Sequence, residues 1–282
     1  MASRIPPLLD TYLRLPPETS LVLLSEVLGS TTNWLVLRYL YSLLSNLALS
    51  VPTEDVLDVT RKDGISVVLI SFLRDYTFWK DGAGKLGVDL DLLTKKGNFV
   101  FVDGLTGLFN TMHSHGPERS LGRKVLSAPT LHHVRKELED AVTLAQSSAP
   151  DQRIVLIADQ LDLLLAASGD GISSQALRET LLDIREKVYS SIVTVSADGP
   201  LISSQTTPLE KEHAAFAASL AHDAHLVISS RMLDTGTARD VSGVLRVTSG
   251  GGNHGVDYVV EERELLYFVA GDGAVRVFER GQ

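Results

Sequence analysis

Apolar residues along this chain fall into two alternating rhythms. Leu21-Val22-Leu23-Leu24 is a short unbroken apolar run, the pattern of a strand buried on both faces. Trp34, Leu37, Tyr41, Leu44 and Ala48 then recur at spacings of three and four, which predicts a helix. The alternation continues. Strand-like runs at Ile65–Ile70, Phe99–Val102, Ile154–Ala158 and Ser191–Ser196 are separated by helix-like segments. These are Tyr76–Leu86, a segment marked by Leu131, Val134, Leu138, Ala141 and Ala145, and one marked by Ile172, Leu177, Leu181, Ile184 and Val188. Thr207-Pro208-Leu209-Glu210 carries a cap, a first-turn proline and a capping-box acid, so a helix should start there and run to about Asp223. Two polar stretches, 113–128 and 197–206, read as surface loops.

The rhythm changes after this helix. Leu226–Met232, Gly243–Thr248, Tyr258–Val260, Leu265–Val269 and Val275–Phe278 are strand-like, with no helix-length segment between them. Gly250–Asn253 and Gly271–Gly273 read as turns between antiparallel strands. The expected architecture is α/β, with a mainly parallel central sheet and an antiparallel β-rich carboxyl-terminal edge. It divides into an extension over 1–20, a βα core over 21–224 and a β-rich part over 225–282, all in a single domain over 1–282.

Composition narrows the chemistry. The 282 residues carry 35 acidic against 26 basic side chains, a net charge of −9, which argues against autonomous binding to nucleic acid or to an anionic membrane. There is no cysteine, hence no disulfide, thiolate metal site or cysteine nucleophile. No apolar run is long enough to span a membrane, and the first residues lack a secretory apolar segment, so a soluble intracellular protein is expected.

The turn between the first strand and the first helix is the most informative element. In many α/β NTPases this turn is the phosphate loop. That loop needs glycines to aim backbone N–H groups, a lysine for the β- and γ-phosphates, and a Ser or Thr for magnesium. Here it reads Glu26-Val27-Leu28-Gly29-Ser30-Thr31-Thr32-Asn33, with one glycine, no lysine and a carboxylate at its start. Asp159 ends an apolar strand, the position of a magnesium-associated carboxylate in such enzymes, and Asp103 ends another. Without the lysine, both read more simply as strand-end carboxylates that cap the following turns. The histidine pairs His113/His115, His132/His133 and His222/His225 have no companion acid or thiol at ligand spacing. No serine sits in a nucleophile elbow. Neither a catalytic residue, nor a cofactor, nor a metal is assigned. Basic residues cluster at Arg61-Lys62, at Lys95-Lys96, and at Arg119, Arg123 and Lys124, with few aromatic residues nearby, which is the composition of solvated loops.

Three stretches carry a resemblance. They are Lys85-Leu86-Gly87-Val88 followed by 97–105 (GNFVFVDGL), then 233–247 (LDTGTARDVSGVLRV), and Ser71-Phe72 before an aromatic-rich helix with Tyr76. In this order they resemble the Elongator complex subunit 6 family, over about residues 21–278. The resemblance implies a RecA-like three-layer fold without a working phosphate loop, and a non-catalytic role. It implies assembly with Elongator subunits 4 and 5 into a ring of six, two copies of each, that binds tRNA and docks on the catalytic Elongator subunits. It also implies support for modification of wobble uridine at carbon 5, in the cytoplasm and also the nucleus. Within such a ring, Arg119, Arg123 and Lys124 are the RNA-binding candidates, because their loop follows the strand ending at Asp103. Two alternatives stay open on the residues alone. One is a divergent RecA-like ATPase using Ser30, Thr31 and Asp159. The other is a recombinase-paralogue-type adaptor, for which the short start before Leu21 leaves no room for a helix-hairpin-helix domain.

Overall fold

A computed structural model describes residues 4–48, 64–109, 122–234, 236, 238–252 and 259–280. Its centre is one ten-stranded sheet. In chain order the strands are β1 (Leu21–Glu26), β2 (Ile65–Ser71), β3 (Phe99–Asp103), β4 (Arg123–Val125), β5 (Arg153–Asp159), β6 (Ser190–Ser196), β7 (Leu226–Arg231), β8 (Gly243–Ser249), β9 (Arg263–Val269) and β10 (Val275–Glu279). Their order across the sheet is β10-β9-β8-β7-β1-β6-β5-β2-β3-β4. From β7 to β4 every pairing is parallel. From β7 to β10 every pairing is antiparallel. One sheet thus holds both halves of the sequence pattern, as expected.

Helices cover both faces. Alternate strand residues point to opposite sides, so the apolar runs of the parallel strands feed two cores. Val22, Leu24, Val67 and Leu69 join one core, with Leu35, Tyr39 and Leu43 of α1 (Asn33–Ala48), Trp79 of α2 (Tyr76–Lys85) and Leu90 of α3 (Leu90–Lys95). Leu21, Leu23, Val68 and Ile70 join the other. The short α4 (Thr106–Phe109) follows β3. The second core is completed by Leu138 of α5 (Leu131–Ser148), Leu164 of α6 (Leu163–Ala167), Leu181 of α7 (Ser174–Arg185) and Phe216 of α8 (Pro208–Asp223). The helix starts are set by local chemistry. The side chains of Asp75, Asp89, Thr130 and Ser173 each accept a first-turn N–H, and Thr207 and Glu210 form the expected capping box. The extension packs on the first core through Leu9, Tyr12 and Leu13, and the Tyr39 hydroxyl donates to the Tyr12 carbonyl at 2.7 Å.

Three local expectations are corrected. The stretch 113–128 is not wholly loop. Residues 123–125 form β4, the outermost parallel strand, while 113–121 lie outside the described residues. Tyr258–Val260 is not a strand in its described part: Val259 and Val260 pair with no strand, and Val259 is 87% exposed. The 197–206 loop contains a short π-helical turn at Pro200–Ser204.

The parallel register brings the strand ends together. Ser71 sits beside Asp103 and Asp159, and Glu26 beside Ser196 and Ser230. This carboxyl edge is where open α/β sheets place ligands.

Candidate functional site: a phosphate-loop position closed by a carboxylate

Glu26 is the last residue of β1, and Thr32 immediately precedes α1. The Glu26 Oε2 atom accepts the Thr32 N–H and, at 2.7 Å, the Thr32 hydroxyl. Thr32 is fully buried, and its carbonyl accepts the N–H groups of Leu35 and Val36, so it starts the helix. The amino end of a helix carries partial positive charge and unpaired N–H groups, which attract anions. Here the anion is the protein's own side chain.

The rest of the turn is tied down as well. Leu28 donates its N–H to Asp198 Oδ1 at 2.7 Å. The Ser30 hydroxyl donates to the Ser230 carbonyl at 2.9 Å. Gly29 has a φ of +90°, and a Cβ there would lie 2.3 Å from Met232 Sδ. The glycine therefore serves this turn's own geometry and packing.

A partly buried polar chain runs from the turn across the strand ends. Gln160 Nε2 donates to Glu26 Oε1 at 3.0 Å, and the Ser196 hydroxyl donates to Gln160 Oε1 at 3.0 Å. Gln160 has a φ of +56° and donates its N–H to Thr194 Oγ1 at 2.8 Å. Asp159, next to it, is fully buried. It accepts from the Ser71 hydroxyl at 2.7 Å and the Thr194 hydroxyl at 3.0 Å. Burial pushes its carboxyl up to about 6; the two hydroxyls pull the other way and the Glu26 charge adds a smaller push upward. A triphosphate in this turn would have to displace the Glu26 carboxylate from Thr32, and it would meet no lysine. The residues present do not fit magnesium-ATP. Ser30, Thr31 and Asp159 are likewise not set up as a nucleotide site. Ser30 and Asp159 hold other parts of the fold, and Thr31 Oγ1 accepts the Asn33 N–H at 3.2 Å.

The basic candidates lie elsewhere. Arg119 is outside the described residues. Arg123 opens β4, five places from β1 in the sheet. Its guanidinium stacks 3.6 Å from the Tyr76 ring centroid and pairs with Asp91 at 2.5 Å. Asp91 also accepts from Lys80 and from the Tyr76 hydroxyl, both at 2.7 Å. Bonding to Lys80 and then to Tyr76 holds its carboxyl down at about 2, while burial and then Asp91 push the Tyr76 phenol up to about 12. Lys124 reaches Glu137 at 3.2 Å and Asp140 at 3.5 Å. Much of the charge of Arg123 and Lys124 is thus matched within the chain. Among the described residues no group of three or more His, Asp or Glu side chains could hold a metal ion. Nor is any described helix long and apolar enough to cross a membrane.

A family model described as Elongation complex protein 6 matches residues 57–269. The chain belongs to this family. Its curated relatives agree. The Elongator complex protein 6 homolog of Schizosaccharomyces pombe is 29% identical over 199 residues, spanning 68% of this chain and 72% of that protein. Elongator complex protein 6 of Xenopus laevis is 24% identical over 264 residues, spanning 88% and 96%. The crystal structure of a KaiC-like protein from Pyrococcus horikoshii superposes with a TM-score of 0.58 at 14% identity, over 99% of this chain and 98% of that one. That likeness shows the fold, which is RecA-like.

This Elongation complex protein 6 family member thus joins a RecA-like sheet to a β1–α1 turn in which the Glu26 carboxylate bonds Thr32 at the start of the helix. Sequence reading identified the missing lysine and the acid at position 26. It missed Thr32, Gln160 and Ser196 as partners of that acid. It also missed the buried Asp162 and His213, although His213 falls on the apolar stripe of α8 with Leu209, Phe216 and Leu220, a placement that could have flagged it.

Proposed function

We propose that this chain is a non-catalytic subunit of the Elongator complex, acting as a single RecA-like domain over residues 1–282. In this reading it forms a ring of six with subunits 4 and 5, two copies of each. The ring binds tRNA, docks on the catalytic subunits and supports modification of wobble uridine at carbon 5, in the cytoplasm and also the nucleus. The chemistry belongs to another subunit. One observation carries the non-catalytic part: the Glu26 carboxylate sits on the Thr32 N–H and hydroxyl, where a working site would hold phosphate. The family match supports membership of the complex. The net charge of −9 supports a share in RNA binding that depends on neighbours, since the chain alone repels a phosphate backbone on average. Arg119, Arg123 and Lys124 are this chain's proposed RNA contacts within the ring.

Calorimetric titration of the isolated chain with magnesium-ATP tests the non-catalytic reading. No heat of binding is expected through the low micromolar range. A low-micromolar dissociation constant would overturn it.

A further inference from the structure

Ser196, the last residue of β6, is held on three sides. Its N–H donates to Asp162 Oδ2 at 3.2 Å, its carbonyl accepts from His213 Nε2 at 2.8 Å, and its hydroxyl donates to Gln160 at 3.0 Å. Asp162 belongs to the turn before α6, and His213 lies in the second turn of α8. They are 5% and 3% exposed. A carbonyl only accepts, so the Nε2 atom of His213 carries a proton. Its other ring nitrogen, Nδ1, then faces Asp162 Oδ2 at 3.7 Å. With one proton on either group, the contact is attractive. With none, a lone pair faces a carboxylate in a site shut off from water. The second oxygen of Asp162, Oδ1, is buried with no hydrogen-bond partner, so beyond the Ser196 N–H on Oδ2 little offsets that charge.

What the pair holds is the root of the 197–206 segment. Ala197 donates its N–H to the Glu26 carbonyl at 2.6 Å, and Asp198 accepts the Leu28 N–H at 2.7 Å. The segment therefore rests on the closed turn between β1 and α1. We propose that Asp162 and His213 form a one-proton clamp on Ser196 that fixes the 197–206 segment against this turn and loosens it when the proton leaves.

Other acids on the surrounding elements have partners of their own. Asp159 is held by Ser71 and Thr194, and Glu26 by Thr32 and Gln160. On α8, Glu210 bonds Thr206 and Thr207, Glu212 bonds the Ser174 N–H, and Lys211 is exposed. The pH direction follows from burial. It pushes the Asp162 carboxyl up to about 6, against the pull of His213 and the Ser196 N–H. A group that binds its proton more tightly in the closed form favours closure at low pH, and that preference is lost as pH rises through about 6.

Hydrogen exchange of the full chain tests this. Rates for 197–206 are corrected for intrinsic exchange and read against α5. From pH 5.5 to pH 8 the clamp predicts a loss of protection of about fourfold that levels off above about pH 7. Asp162→Asn, whose amide can donate to Nδ1, should flatten this profile, and His213→Gln, which removes the ring's downward pull on Asp162, should move the step to higher pH. The Asp162 carboxyl carbon resonance of the unaltered chain should shift with the same midpoint, whether or not either variant folds. A flat exchange profile in the unaltered chain, an Asp162 carboxyl resonance that does not follow the step, or the same step in either folded variant overturns the clamp.

Discussion

The Glu26 carboxylate accepts both the N–H and the hydroxyl of Thr32, closing the amino end of α1 with an anion from the preceding strand. The same carboxylate accepts from Gln160, which lies 134 residues further along the chain. Glu26→Ala leaves the buried Thr32 N–H and Gln160 amide without their acceptor. We expect it to lower unfolding free energy by about 2–3 kcal/mol, read from urea denaturation. It should not create ATP affinity, because the turn still has no lysine. An unchanged urea midpoint would mean that the carboxylate does not hold the turn.

Asp159 gives a pH-dependent prediction. Burial raises its carboxyl to about 6, so the neutral form is the better fit to the fold. The stability this supplies is complete below the ordinary carboxylate range and is lost as pH rises through about 6. In Asp159→Asn the amide can serve Ser71 and Thr194 without charge. The stability of this variant relative to the parent should rise by about 1–1.5 kcal/mol between pH 5 and pH 8. A constant difference across that range would show that Asp159 does not titrate there.

Gly29 tests whether the turn is built rather than loose. Its φ of +90° disfavours any side chain, and Met232 already occupies the place of a Cβ. Gly29→Ala should cost about 1–3 kcal/mol in thermal or urea unfolding. A neutral effect would mean that the turn can rearrange freely around this position.

The long elements were legible because their periodicity is strong. The runs at Leu21, Ile65 and Ile154 belong to strands buried on both faces, and the three-and-four spacing of α5 reflects one packed stripe. In α1 the helix was legible, but its core is carried mostly by Leu35, Val36, Tyr39, Leu40 and Leu43, with Leu37 and Tyr41 only partly buried. The misses have local causes. β4 is only Arg-Lys-Val, too short and polar to show a pattern, and it exists because β3 offers it an edge. Val259 is β-branched and lies in an apolar pair, yet it faces solvent. At the site, the acid of position 26 was visible but its role was not. The partners that define it come from the β1–α1 turn, the end of β5 and the end of β6, and only the sheet order places these side by side. Asp162 and His213 meet for the same reason.

The RNA-contact proposal is checked on the assembled ring. Charge reversal at Arg119, Arg123 and Lys124 should weaken tRNA binding and flatten its salt dependence, with each lost phosphate contact reducing the slope by roughly 0.7–0.9. Arg123 and Lys124 also hold Asp91, Glu137 and Asp140, so glutamine variants at these two positions should be measured alongside, as controls for a loss of stability of about 1 kcal/mol. Unchanged tRNA affinity across the salt series would remove these residues from the binding surface.

The central claim is a structural partnership in place of catalysis, and the mass of the assembled particle tests it most directly. The full chain is co-expressed with Elongator subunits 4 and 5, and the purified complex is weighed intact by native mass spectrometry. The account predicts one closed species with two copies of each of the three chains, formed without added nucleotide. A chain that stays monomeric and free of both subunits would contradict it.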